Sequence, residues 1–261
     1  MTGATSQLIT GRLIEGRGTP ETAWLPFLEE LAPPPLALTP APRRAVVIAP
    51  HPDDEVLGVG GLLTLLHRVG AAIHIIAVTD GEASHFRSTA ITPAELARRR
   101  AAETVAALAA LGLRVPIRRL SLPDGGGEGL TGPVVTALTN DDKPDHPVRA
   151  GDWLLAPWTG DGHPDHDAVG RAAATVAERT GAQLLAYPIW AWHWALPIDA
   201  TIPWDRAEVV RLPADVHRAK LEAMGQFHTQ LEPLGPDPAD APVLTAEVVA
   251  RFARPFEVVF R

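Results

Sequence analysis

The stretch Ala45-Val46-Val47-Ile48-Ala49-Pro50-His51-Pro52-Asp53-Asp54-Glu55 decides the fold of this chain. Its first half is a short apolar run rich in β-branched residues, the pattern of a strand buried on both faces. Its second half packs an imidazole and three acids into a turn. An apolar helical stretch from Val56 to Val69 follows. Working outward, the same alternation recurs. Strands are expected at 73–79, 117–122, 153–156 and 183–187, with helices at 94–111 and 167–179. A helix at 214–226 and a strand at 256–260 close the chain. Strands alternating with helices imply an α/β fold, a Rossmann-like three-layer sandwich with a mostly parallel sheet. The Gly-, Pro- and Asp-rich segment 125–151 reads as a long loop or lid.

Residues 1–44 read as an N-terminal arm packed on the main domain, which spans 45–261. A short amphipathic helix is expected at 22–31, stopped by the prolines from Pro33 to Pro42. The 261 residues are 46% hydrophobic, enough for a sizeable core. The formal charge of −8 argues against a partner recognised by phosphate neutralisation, so no nucleic acid is expected. No apolar run reaches signal-peptide or membrane-spanning length, and a cytoplasmic protein without membrane insertion is expected. The sequence leaves room for a homo-oligomer. With no cysteine, any metal site must use imidazoles and carboxylates.

The residues that carry chemistry follow strands, and in open α/β sheets the crevice lies outside the carboxyl ends of the strands. This gathers His51, Asp53, Asp54, Asp80, Asp124, His163 and His166 at one sheet edge. In the first cluster, acids crowded beside His51 repel one another unless a divalent cation relieves them. His51 and Asp54, three apart at a helix start, can share one centre, with Asp53 left to face a water. The second cluster, His163-Pro164-Asp165-His166, repeats the device after a later strand. A catalytic zinc site needs three protein ligands and an open position. One imidazole of the second cluster would be the third ligand, and the other would remain for the substrate. A dinucleotide-binding oxidoreductase would need a glycine-rich turn after the first strand, and PHPDDE stands there instead.

The segments Ala49–Glu55 and His163–His166 with Gly170 resemble the two motifs of the PIG-L/LmbE family of zinc-dependent de-N-acetylases. Thr79-Asp80-Gly81-Glu82, Arg100 with Glu103, and Leu122-Pro123-Asp124-Gly125 fit the resemblance, as do Lys220 and His228-Thr229-Gln230 more faintly. It implies metal ligands His51, Asp54 and His166, with Zn2+ as the cofactor, although another divalent metal would suit such donors. It implies Asp53 as general base and His163 as general acid or oxyanion stabiliser. Arg100 and Asp124 would contact the sugar. Some members carry a tyrosine where Asp161 stands here.

The activity implied is removal of an N-acyl group, most often acetyl, from an amino-sugar derivative by metal-activated water. In that scheme Asp53 takes the water's proton, and protonated His163 steadies the oxyanion and protonates the leaving amine. Asp165 would orient His166 or His163 from outside the ligand set. Glu55 would cap or salt-bridge locally. Two alternatives are an amidase for a related non-sugar or thiol-conjugate amide and, with least support, a non-catalytic glycan-binding module. The run Trp190, Trp192, His193, Trp194 fits core packing and subunit contact as well as it fits a sugar-stacking wall.

Overall fold

A computed structural model describes residues 16–140 and 147–261. In chain order the elements are α1 (Glu21–Leu31), β1 (Arg44–Ala49), α2 (Asp54–Arg68), β2 (Ala72–Thr79), α3 (Pro93–Ala110), β3 (Ile117–Leu122), α4 (Thr131–Thr139) and β4 (Trp153–Pro157). Then come α5 (Pro164–Thr180), β5 (Gln183–Tyr187), α6 (Ala191–Trp194), β6 (Ala207–Arg211), α7 (Ala214–Met224), α8 (His228–Leu231), α9 (Ala246–Phe252) and β7 (Phe256–Phe260). The seven strands form one sheet in the order β3-β2-β1-β4-β5-β7-β6. The first five run parallel, while β7 pairs antiparallel with both β5 and β6. This is the expected α/β sandwich with a mostly parallel sheet.

Side chains of β1 alternate between two cores. Ala45 and Val47 join one face with α2, and Val46 and Ile48 join the other with α5. Burial on both sides explains why β1 has no polar face. The chain runs from β1 outward through β2 and β3, then returns to place β4 on the other side of β1. The order therefore reverses between β1 and β4, the point where such sheets open a crevice. His51 and His163 follow those two strands.

One expectation is corrected, and one strand was not anticipated. Segment 125–151 is no simple lid: it holds a 3-10 turn at Gly127–Leu130 and then α4. Gly132 and Pro133 hid the helix, yet both sit in its first turn, where a proline removes no needed donor. Val134 and Leu138 of α4 are buried beside Val169 and Ala172 of α5. Within that segment, residues 141–146 lie outside the described residues. Strand β6 escaped detection because AEVVR is only five residues long and each of its faces carries a charged residue, Glu208 on one and Arg211 on the other.

Helix α2 is broken. Val59 has φ −141° and ψ 16°, outside helical values, amid Gly58, Gly60 and Gly61. A Cβ at Gly58 would lie 2.4 Å from the Tyr187 ring, so glycine there lets the helix pass the sheet closely. The break frees backbone groups, and a buried ion pair takes them. Glu257 accepts from the N–H groups of Gly61 and Leu62 at 2.7 and 2.8 Å. Lys220 Nζ donates to Leu57 O at 2.9 Å and pairs with Glu257 at 2.7 Å. A remote carboxylate thus caps the second half of α2.

The segment before β1 is tied down by named contacts. Trp24 is fully buried and its Nε1 donates to Trp192 O. Glu21 receives two hydrogen bonds from Arg254, whose guanidinium lies 4.2 Å from the Trp192 ring centre. Among the described residues no helix is long and apolar enough to cross a membrane.

Candidate active site

The turn after β1 is strained where it matters. Asp53 has φ 128°, in the left-handed region that non-glycine residues avoid. Arg100, reaching in from α3, holds it there. One guanidinium nitrogen donates to Pro52 O at 2.7 Å and to Asp53 Oδ2 at 3.1 Å, and the other reaches Gly81 O. Beside the expected sugar contact, the structure gives Arg100 a second task. It lines the cleft, and its hydrogen bonds shape the Asp53 turn. Burial raises the Asp53 carboxyl to about 7, even though Arg100 pulls the other way.

Three atoms able to hold a metal meet beside it. His51 Nδ1 lies 3.2 Å from His166 Nε2, and Asp54 Oδ2 lies 3.3 Å from each of them. Carboxylates behind the rings set the tautomers. Nδ1 of His166 lies 2.8 Å from Asp161 Oδ2, and a carboxylate only accepts, so that nitrogen carries the proton. Nε2 of His51 likewise faces Asp124 Oδ1 and Asp165 Oδ2, each at 3.2 Å. The nitrogens turned toward Asp54 are left with lone pairs. Three lone pairs on one small triangle repel unless a cation sits among them. Tetrahedral zinc, with bonds of about 2.0–2.1 Å, places its donors about 3.3–3.4 Å apart, so these residues fit that ion. Without one, burial disfavours charge on His166, yet Asp54 and Asp161 raise it to about 9. Burial works against Asp54 as well, and His166 and His51 still hold it well below the carboxylate range.

His163 caps α5, its Nδ1 accepting from the N–H of Asp165 at 3.2 Å. Its ring centre lies 4.8 Å from those of both His51 and His166. Burial and then the two neighbouring imidazoles push its pKa well below the usual value. With Nδ1 accepting from the backbone, Nε2 is the nitrogen left to donate into the cleft.

Asp165 was expected to steady His166 or His163 and instead faces His51, anchored by N–H groups of Gly125 and Gly127 at 2.9 and 2.7 Å. Glu55 is buried and accepts from Asp53 N at 3.3 Å, and makes no salt bridge among the described residues. Burial raises it to about 8. Asp124 lines the cleft and accepts from Ala83 N at 2.8 Å, and despite burial His51 holds its carboxyl below the usual range. Asp80 does not reach the cleft, because it pairs with Arg119 on β3.

The residue that sequence reasoning undervalued is Asp161. Besides His166 it accepts from the N–H groups of Ile189, Trp190 and Ala191 at 2.8–2.9 Å. It thereby ties His166 to the start of the tryptophan run. Of that run, Trp190 lines the cleft, and Trp192 packs in the core on Trp24 and Trp204. A carboxylate two residues before the second cluster was the available signal.

The family model described as PIG-L, GlcNAc-PI de-N-acetylase, matches residues 46–177. The chain belongs to this family. Within PIG-L, it is 27% identical over 192 residues to a 1D-myo-inositol 2-acetamido-2-deoxy-alpha-D-glucopyranoside deacetylase of Rhodococcus opacus (strain B4), covering 64% of this chain. A protein of the same description from Kineococcus radiotolerans is 34% identical over 89 residues, covering 33% of this chain. The alignments span 60% and 24% of those relatives' own lengths. Among solved structures, the A40926 pseudoaglycone deacetylase superposes with a TM-score of 0.57 at 23% identity, over 84% of this chain and 96% of that one. The N,N'-diacetylchitobiose deacetylase of Pyrococcus horikoshii gives 0.53 at 20% identity, over 79% and 77%. At such identities the likeness speaks to the shared fold.

Proposed function

We propose that this PIG-L member is a zinc-dependent de-N-acylase that removes an acyl group, foremost acetyl, from an amino-sugar derivative. The observation that carries this reading is the triangle of His51 Nδ1, Asp54 Oδ2 and His166 Nε2, with edges of 3.2–3.3 Å, beside the strained Asp53. Deacetylases of acetamido sugars among the relatives support the substrate class. Residues 45–261 form the catalytic domain in this reading, preceded by the arm expected at 1–44, of which 1–15 lie outside the described residues.

Zinc held by His51, Asp54 and His166 would supply Lewis acidity and lower the pKa of the attacking water. Asp53 takes that water's proton. Burial holds this carboxyl above the usual carboxylate range, which makes it the stronger base. Arg100 fixes its direction. His163 donates its Nε2–H to the amide oxygen as negative charge gathers there, a neutral donor at an oxyanion. The departing nitrogen needs a proton, and Asp53 carries the one taken from water. Water's atoms end on the acid and the amine, so the step balances. Asp124, on the cleft wall, accepts a sugar hydroxyl.

The test is amine release from a panel of N-acetylglucosamine derivatives, with protein stripped by chelator and then reloaded with zinc. Release that needs added metal is the expected result. Release from non-sugar amides alone would transfer the reading to an amidase, and no release from either would refute it.

A further inference from the structure

Among the described residues, four Lys and Arg side chains are buried: Arg100, Lys220, Arg251 and Arg254. Three of them hold carboxylates. Arg100 has Asp53, Lys220 has Glu257, and Arg254 has both oxygens of Glu21. Arg251, only 2% exposed, has none. Its Nε donates to Thr19 O, one terminal nitrogen to Arg17 O, and the other to His193 Nδ1. The two acids nearest in its field are engaged elsewhere. Glu21 serves Arg254, and Glu247, one helical turn back on α9, lies half-exposed 3.9 Å from Arg17.

A guanidinium has five N–H donors, and these contacts use three. Carbonyls and an imidazole satisfy donors but do not cancel a charge, and an uncompensated buried cation is costly. Arg251 lines the same cleft as His51, Asp53 and His163. Its neighbours on that wall, Leu244, Val248 and Phe252, are apolar and buried, which strengthens any charge interaction there. The carbonyls of Arg17 and Thr19 hold the guanidinium in place, so an anion meets a preset donor group.

We propose that Arg251 is an anion subsite of the cleft, which takes a carboxylate or phosphate carried by the substrate at a distance from the amide. The amide half of this statement rests on the function proposed above; the anion half does not. The acids at the zinc end of the cleft would repel such a substrate, and Arg251 gives its charged group a place at the other wall.

The experiment has a turnover arm and a binding arm. In the first, zinc-loaded wild type, Arg251→Gln and Arg251→Lys hydrolyse phenyl and 4-carboxyphenyl N-acetylglucosaminides. The ratio of kcat/KM values, anionic over neutral, is taken within each protein. That ratio favours the anionic glycoside in wild type, falls about 10–100-fold in Arg251→Gln, and falls less in Arg251→Lys, which keeps charge but not the fork. In the second arm, chelator-treated protein is titrated calorimetrically with inorganic phosphate at constant ionic strength. Phosphate binds wild type, and binding is lost in Arg251→Gln. Binding undiminished in that variant overturns the subsite, as does a wild type that neither binds phosphate nor prefers the anionic glycoside. Should the variants fail to fold, the two wild-type measurements decide. Absence of turnover with both glycosides, alongside phosphate binding that needs Arg251, sinks the proposed activity and leaves the subsite standing.

Discussion

Lys220 Nζ and Glu257 Oε1 lie 2.7 Å apart inside the protein, and between them they hold both sides of the break in α2. The first half of that helix carries Asp54 and follows Asp53. The pair therefore aims the turn on which the proposed ligands and base depend. Lys220→Met strands a buried carboxylate and Leu57 O, and a loss of about 3–5 kcal/mol is expected in urea unfolding. Burial also holds the Lys220 pKa below 10.5. The unfolded chain then binds the proton more tightly, so in the alkaline window below 10.5 wild-type stability gains with rising pH through this group. Lys220→Met should lack that gain when melts are compared across the window.

Asp53→Asn keeps the shape of the turn and removes the proposed base. Activity should fall on the order of a hundredfold or more while bound zinc, read by elemental analysis, stays near one equivalent. Full activity in a metal-replete variant would show that another group takes the proton.

Arg100→Met releases Asp53 from its only guanidinium partner among the described residues. The strained φ of Asp53 loses its support, and kcat should fall about 10–100-fold with zinc retained. A large rise in KM with kcat unchanged would leave Arg100 the role of sugar contact alone.

Asp161→Asn replaces an acceptor of four hydrogen bonds by a side chain with one acceptor oxygen. Zinc affinity should drop about 10–100-fold, as is common when the partner of a ligating imidazole is altered. Competition with a fluorescent chelator measures it. Unchanged affinity would limit Asp161 to bracing the tryptophan run.

Chelator should lower the melting temperature, and added zinc should restore it. Zinc free at about a hundred times its dissociation constant adds about 2.7 kcal/mol. His166→Ala should abolish the response.

What could be read from the sequence was local. β1 and β5 announce themselves by apolar runs, and His51, Asp54 and His166 by sitting at strand-to-helix turns. What could not be read depended on pairings between distant segments. Nothing near Glu257 says that its carboxylate caps a helix at Gly61 and Leu62, because the need arises only when α2 breaks against Tyr187. Asp165 and Asp161 lie four residues apart in the same turn, and only the folded backbone assigns one to His51 and the other to His166. Helix α4 was hidden because Gly132 and Pro133 are breakers in a helix interior but harmless in a first turn.

The reversal of strand order between β1 and β4 has a bearing on assembly. His51 and Asp54 follow β1, His166 follows β4, and the two strands register Ala45 beside Trp153 across more than a hundred intervening residues. No fragment ending before β4 can present all three donors. Tight zinc capture during refolding therefore reports the moment when the two halves of the sheet join, and a spectroscopic metal such as cobalt would serve as a clock for that event.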